Sequence, residues 1–204
     1  VPKTGEVVTA VFGFAQMLLK VINDVQGSCY AVAFDTKAPT FRHKMTETYK
    51  AQRPPTPPDL VDQFGRVKQL VETFNIPIYE FDGFEADDVI GTLSRQASEQ
   101  GMDTLIVTGD NDSMQLVSPT VKVLYPKKSF SDTQIFDEVA VKEKFGVEPK
   151  QVADYKALVG DTSDNIKGVR GIGEKTAVKL LQQFGSIEGI YEHLNEVTPP
   201  RIQT

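Results

Sequence analysis

The sequence predicts an α/β fold, a mostly parallel sheet covered by helices. Three observations carry that expectation. Residues 29–34 are a nearly uninterrupted apolar run, the pattern of a strand buried on both faces, and 104–108 and 121–125 are further strand-like runs. Between the first two lie stretches whose apolar residues recur every three or four positions, the period of an amphipathic helix. The alternation of the two favours a sheet wound with helices on both faces. From about Asp137 the periodicity is helical throughout, so we expect an α/β domain over 1–136 and a smaller helical region over 137–204. A chain of 204 residues is long enough to bury a full core of this kind.

The opening helix is expected over residues 6–23, with Val8, Val11, Phe12, Ala15, Leu18, Leu19 and Ile22 on one stripe. The run 29–34 follows as a buried strand with Asp35 at its carboxyl end. Cys29, the only cysteine, excludes an internal disulfide. It is expected to be a small buried apolar residue in a reducing, intracellular setting. Residues 36–58 then carry Lys37, Arg42, Lys44, Lys50 and Arg53 against Glu47, a net +4 inside a chain whose net charge is −6. Phe41, His43 and Tyr49 are interleaved with those cations. Basic groups beside aromatics suit a single-stranded nucleic acid, phosphates paired and bases stacked, although a solvated basic face has the same composition. The prolines at 54, 55, 57 and 58 end the segment.

Leu60, Phe64, Val67, Val71 and Phe74 step by four and three and predict an amphipathic helix. A short strand is expected at 78–81, then a helix from Glu85 to about Gln100 burying Ala86, Val89, Ile90, Leu93 and Ala97, closed by Gly101. Strands at 104–108 and 121–125 and a short one at 133–136 follow, and helices at 138–145 and 149–159 complete the pattern before the last loops.

Three acidic clusters stand out on this frame. Glu85, Asp87 and Asp88 occupy the first turn of a helix, Asp110 and Asp112 follow a strand, and Asp161 and Asp164 sit in a loop. Helix capping alone accounts for acids in a first turn, and turns account for Asp110 and Asp112. Three clusters together, two just after strands, favour a metal site instead. Carboxylates so dense repel unless a cation joins them, and hard divalent ions take oxygen ligands. Sites in α/β sheets also lie beyond the carboxyl ends of strands.

The stretch 165–177 has a Gly-apolar-x-Gly-apolar-Gly core ahead of a helix with Ala177, Leu180, Leu181 and Phe184 on one face. Lys167, Arg170, Lys175 and Lys179 against Glu174 make residues 165–179 net +3. A tight glycine turn at a helix N-terminus offers backbone N–H groups to phosphate oxygens. No strand precedes it, so a helix-hairpin-helix fits better than a dinucleotide fingerprint.

Taken in order, these motifs resemble the 5′-nuclease (flap endonuclease) domain of bacterial DNA polymerase I, in the PIN-like nuclease superfamily. The resemblance rests on Ala33-Phe34-Asp35, Phe41-Arg42-His43, Tyr49-Lys50-Ala51-Gln52-Arg53, Glu85-Ala86-Asp87-Asp88, Gly109-Asp110-Asn111-Asp112, Gly160-Asp161-Thr162-Ser163-Asp164-Asn165 and the Gly171–Ala177 hairpin. It implies a PIN-like core, a helical arch, a C-terminal helix-hairpin-helix and two or more divalent cations, Mg²⁺ or Mn²⁺. Asp35, Glu85, Asp87, Asp88, Asp110 and Asp112 would form the tighter metal site, and Asp161 and Asp164 would extend to the second. Lys50 and Arg53 would be catalytic cations. Arg42 and Tyr49 with them, and Lys167, Gly168, Arg170, Gly171, Gly173, Lys175 and Thr176 in the hairpin, would bind DNA. The implied substrate is a 5′-flap or nicked duplex with a single-stranded 5′ arm, in replication and repair. The implied setting is the bacterial cytoplasm, at the nucleoid, with a polymerase domain in the same full-length chain.

The family's first strand and the Asp near its end have no counterpart here. The chain starts at Val1, so it is expected to be a fragment lacking that strand, with doubtful activity alone and a truncated C-terminal region. A PIN-type ribonuclease and a non-catalytic DNA-binding module are the rival readings. With one cysteine and two histidines, no Ser-His-Asp or Cys-His arrangement competes. No apolar stretch reaches membrane-spanning length, and nothing resembles a signal peptide.

Overall fold

The computed structural model describes residues 7–129 and 132–198. The chain divides into two compact units, Val1–Phe41 with Arg53–Val89, and Arg42–Gln52 with Ile90–Thr204.

The first unit contains α1 (Thr9–Val25) and β1 (Val32–Ala33). After α2 (Phe41–Met45), which opens at the unit boundary, it adds α3 (Pro58–Thr73) and β2 (Ile78–Tyr79). β1 and β2 pair in parallel, Val32 with Ile78 and Ala33 with Tyr79. Leu18, Val71 and Ile76 are buried, with Phe14, Ile22, Tyr30, Val32, Phe34 and Ile78 packed on them. Pro57 and Pro58 start α3, because a proline in the first turn has no N–H to leave unpaired.

The helical stripes are narrower than the periodicity implies. On α1 only Leu18 is buried, while Phe12 and Leu19 are exposed. On α3 the buried residues are Gln63, Val67 and Val71, and Phe64 and Phe74 are exposed. Gln63 is the informative exception. Its Oε1 accepts from the N–H groups of Ala10 (2.8 Å) and Val11 (3.4 Å), and its Nε2 donates to Asp59 O (2.7 Å). Val8 supplies no side-chain cap to α1, so a glutamine from another helix satisfies donors that the first turn leaves open. The expected strand 29–34 shrinks to two residues, and Cys29 is exposed rather than buried. Residues 29–31 lie outside the β1–β2 ladder, so nothing holds that cysteine against a sheet.

In the second unit lie most of α4 (Ala86–Glu99), β3 (Thr104–Val107), a 3₁₀ turn at 111–116, β4 (Val121–Ser129) and β5 (Asp132–Phe136). β3 and β4 are parallel, Thr104 facing Val121 and Val107 facing Leu124. β4 and β5 are antiparallel, with a register irregularity between Pro126 and Ser129. The mixed α/β class and the parallel pairings agree with expectation. The strands nonetheless form small separate sheets, and the expected short strand at 133–136 pairs antiparallel with β4.

The helical region follows as α5 (Glu138–Phe145), a 3₁₀ turn at 149–151, α6 (Val152–Val159), β6 (Gly160–Asp161), β7 (Ile166–Lys167), α7 (Glu174–Phe184) and α8 (Ile187–Glu192). One core runs through this unit, with Ile106, Met114, Val123, Phe136, Val141, Val152, Ala177 and Leu181 among its buried members. Among the described residues, no helix is long and apolar enough to cross a membrane.

Candidate active site

In the first unit the end of β1 meets the start of α4. Asp35 lies two residues beyond β1, and its Oδ1 accepts the N–H of Ala86 at 2.8 Å. Asp88 Oδ2 accepts the N–H of Glu85 at 2.9 Å. The first-turn donors of α4 are thus taken by two of the predicted ligands, which is favourable for carboxylates at the positive end of a helix. Capping and convergence are therefore the same contact here. Asp87 is half-buried in the same turn.

In the second unit Asp110 caps the 3₁₀ turn after β3, its Oδ1 accepting from Asp112 N at 2.8 Å. That turn is braced from α5. Lys144 Nζ bonds Asn111 Oδ1 and lies 4.9 Å from the ring centres of Tyr125 and Phe136 and 5.3 Å from that of Phe145. Desolvation among those rings lowers the Lys144 pKa. Nothing periodic marks Lys144, so the sequence reading passed it over.

Asp161 is held on both of its oxygens. Its Oδ1 accepts from Ser163 N (2.8 Å), Ser163 Oγ (2.5 Å) and Asp164 N (3.3 Å), and its Oδ2 from Lys156 Nζ (2.8 Å). Burial pushes its pKa up, but the hydrogen bonds from Lys156 and Ser163 and the lysine's charge outweigh that and bring it to about 2. Lys156 also pairs with Asp112 Oδ1. One ammonium therefore joins carboxylates from two of the acidic motifs, another residue that sequence reasoning missed. Its one sequence signal is a cation in the last turn of a helix, five residues before an acid.

Residues 46–52 lie on the 160–165 loop. Lys50 N donates to Asp164 O (3.0 Å), Tyr49 Oη to Asp164 Oδ2 (3.0 Å), and Gln52 Nε2 to the carbonyls of Thr162 (2.9 Å) and Ser163 (3.0 Å). Asn165 Nδ2 donates back to Thr48 O at 2.8 Å. Lys50 Nζ stands 3.8 Å from Asp164 Oδ2 and 4.9 Å from the Tyr49 ring centre. This corrects the reading of Tyr49 as a stacking platform for bases. Tyr49 is 7% exposed because its hydroxyl must reach the buried Asp164. The segment expected to form an arch consists here of the five-residue α2 followed by turns. Arg42 is half-buried, and Arg53, in the other unit, is exposed.

The hairpin between α6 and α7 forms as the glycine spacing suggests. A Cβ on Gly168 would sit 2.3 Å from the carbonyl carbon and oxygen of Val159, so the close approach excludes any side chain. Val169 N donates to Leu158 O (2.8 Å), and Ile172 N to Val169 O (3.0 Å). Gly171 adopts φ 88°, a conformation that disfavours other residues. Gly173 is the N-cap of α7 and accepts from Thr176 N and Ala177 N. Ile172 plugs the turn into the core, while Lys167, Arg170 and Lys175 are exposed and Thr176 is half-buried.

Among the described residues, no three Asp, Glu, His or Cys side chains gather around one point. The carboxylates take backbone N–H groups, Tyr49 and lysine as partners, as enclosed charges must. The donor set is still that of a hard cation, all carboxylate oxygen, and a positive charge already stands between Asp112 and Asp161. The residues fit divalent metal.

Comparison with known families assigns a class to this arrangement. Residues 1–146 match the 5′-3′ exonuclease N-terminal resolvase-like domain, and 147–204 match the 5′-3′ exonuclease C-terminal SAM fold. The chain belongs to the 5′-3′ exonuclease family. It is 49% identical over 203 residues to DNA polymerase I of Chloroflexus aurantiacus, covering 98% of this chain and 21% of that protein. It is 44% identical over 194 residues to DNA polymerase I of Bacillus caldotenax, covering 95% of this chain and 22% of that one. The chain thus spans about a fifth of the length of these relatives. In fold it is similar to T5 5′-exonuclease with bound zinc, at TM-score 0.77 and 22% identity over 93% of this chain and 73% of that one. It is also similar to the catalytic core of Rad2 in complex with DNA substrate, at TM-score 0.60 and 18% identity over 91% and 56%.

Proposed function

We propose that this chain is the metal-dependent 5′-nuclease module of a bacterial DNA polymerase I, hydrolysing phosphodiesters in 5′-flap or nicked duplex DNA during replication and repair. We assign it to the cytoplasm, at the nucleoid. The observation that carries the reading is the joining of Asp112 and Asp161 through a single cation. Carboxylates from separate motifs held around positive charge make a metal-dependent hydrolase the natural chemistry. Asp35, Glu85, Asp87, Asp88, Asp110 and Asp112 would hold one divalent ion, Mg²⁺ or Mn²⁺, and Asp161 and Asp164 would extend to a second. When bound, such ions lower the pKa of a water and offset charge on the phosphate.

The chain's own residues have distinct tasks. The carboxylates hold metal and do not act as general bases. Lys50 and Arg53 offset charge growing on the phosphate, with Arg42 beside them on the 5′ strand. Tyr49 helps by orienting Asp164, whose carboxylate accepts its hydroxyl. In the region 137–204, Lys167, Arg170, Lys175 and Thr176 grip the duplex backbone, and Gly168, Gly171 and Gly173 let phosphate approach. The T5 D15 flap endonuclease, similar in fold, has been crystallised with DNA and metal ions, which favours DNA over the RNA substrate of a PIN-type ribonuclease.

Asp110→Asn tests this reading cleanly, because asparagine still caps the 3₁₀ turn. Cleavage of a 5′-flap duplex in Mg²⁺ should fall at least about a hundredfold, on the scale of losing a key electrostatic group. Flap binding should stay within a few-fold. Near-normal turnover in that variant, or wild-type cleavage that survives EDTA, would remove the metal-site assignment.

A further inference from the structure

Lys156 has no part in the reading above, yet it stands between two of the acids, Asp112 and Asp161. It lies in the last turn of α6, where a cation is favoured by the helix dipole. From there its ammonium bonds Asp161 Oδ2 at 2.8 Å and Asp112 Oδ1. The two acids come from different elements, β6 and the turn after β3. Oxygens bonded to one ammonium lie within about 6 Å of each other, each being within about 3 Å of it. That is where an ion binding both carboxylates would sit, with ligands at roughly 2.0–2.6 Å. The lysine side chain is three-quarters enclosed, 24% exposed against 28% for Asp112 and 10% for Asp161. Screening by solvent is correspondingly reduced. Asp161 is also committed on its other oxygen to Ser163 and Asp164 N, so Oδ2 is the atom it can offer outward.

We propose that Lys156 is a built-in counter-cation. It holds Asp112 and Asp161 at ligand spacing in the metal-free protein and yields its place when a divalent ion binds. The inference rests on the metal-dependent reading and adds a positioning residue to it. Lys156 prevents the two carboxylates from repelling one another apart before metal arrives. It also weakens the metal, because the incoming ion must displace an ammonium already in place. Removing the lysine should therefore loosen the metal-free protein and tighten the metal, a pair of effects that a purely structural ion pair would not produce.

The test uses the chain itself, with Mg²⁺ as probe. Lys156→Met should lower the metal-free Tm by roughly 4 °C or more, on the scale of 2–4 °C per kcal/mol for a chain this size. Its Mg²⁺ dissociation constant by calorimetry should fall about tenfold, a change on the scale of one displaced charge contact. Lys156→Arg, which keeps the charge, should return both values toward wild type. A second measurement needs no variant to fold: the Lys156 ¹⁵Nζ ammonium resonance should be visible in metal-free wild type and be lost or shifted at saturating Mg²⁺. An unshifted resonance at saturation, or equal or weaker Mg²⁺ binding in the Met variant, overturns the displacement. If wild type itself shows neither heat nor stabilisation with Mg²⁺, the underlying metal reading fails as well.

Discussion

The loop at 160–165 and the hairpin that follows it at 167–175 are neighbours in sequence and opposites in charge treatment. Every acid of the loop has protein partners. Asp161 is held by Ser163, Asp164 N and Lys156, and Asp164 by Tyr49 and Lys50. The hairpin's cations Lys167, Arg170 and Lys175 face solvent and form no ion pair among the described residues. The difference separates two kinds of site. A cluster meant for a small cation must be assembled in advance, because its members repel. A surface meant for a polyanion needs only exposed charge and a backbone that permits close approach.

The point that joins the two regions is also one that tolerates no side chain. Gly168 has no room for a side chain, since a Cβ would meet the Val159 carbonyl at 2.3 Å. Backbone cannot swing aside as a flexible side chain can. Gly168→Ala should therefore destabilise the fold by about 3 kcal/mol, the upper part of the range for overpacking. That corresponds to a Tm lower by roughly 6–12 °C. A melt within 2 °C of wild type, measured by calorimetry on both proteins, would mean that loop and hairpin are not pinned to α6 as described.

How far the sequence could anticipate this contrast depends on the scale of the interaction. The hairpin was legible because its constraints are local: glycines at fixed spacing, then apolar residues at helical spacing, which α7 buries as Ala177, Leu180 and Leu181. The acidic motifs were legible as motifs for the same reason. Their partners were not. Gln52 and Asn165 interact with residues more than a hundred positions away, and polar residues of that kind carry no periodic signal. Tyr49 was misread because an aromatic among lysines has the composition of a base-stacking platform, while its burial is set by Asp164. Gln63 shows the same limit in a helix, where a polar residue occupies the buried stripe to cap α1. Narrow strands such as β1 were overextended because an apolar run does not say where its pairing partner ends.

The contacts of the 46–52 segment give the next and smaller test. Gln52 makes two of them, to the carbonyls of Thr162 and Ser163, and is assigned neither to metal nor to DNA. A hydrogen bond of this exposed kind contributes about 1 kcal/mol. Gln52→Ala should then raise the hydrogen-exchange rate of the Lys50 amide, which donates to Asp164 O, by about fivefold. The global melt should stay within roughly 2–4 °C, the change expected from 1 kcal/mol. Lys50 supports the same expectation, since it sits at φ 53°, a strained region for a lysine that the Asp164 contact stabilises. Unchanged exchange at Lys50 would show that the segment is held by Tyr49 and Asn165 without Gln52.

The smallest effect concerns the exposed side of the contrast, and it is read in salt dependence rather than in stability. Lys175 stands in the first turn of α7, exposed, one position from the half-buried Thr176. A cation there opposes the helix dipole, so its position gives α7 no stability that would explain its presence. Lys175→Ala should accordingly leave the Tm unchanged or slightly raised. If it pairs with one phosphate, the slope of log K against log salt for duplex binding should flatten by about 0.9, equally for different sequences, because backbone contacts do not read bases. Lys142 is the control. It is also exposed, but it pairs with Glu148 at 2.7 Å outside the hairpin, and Lys142→Ala should leave the slope unaltered. Equal flattening in both variants would reduce the hairpin to general charge. Flattening in Lys175→Ala alone would place a phosphate at the start of α7, beside an acidic loop whose own charges are already neutralised.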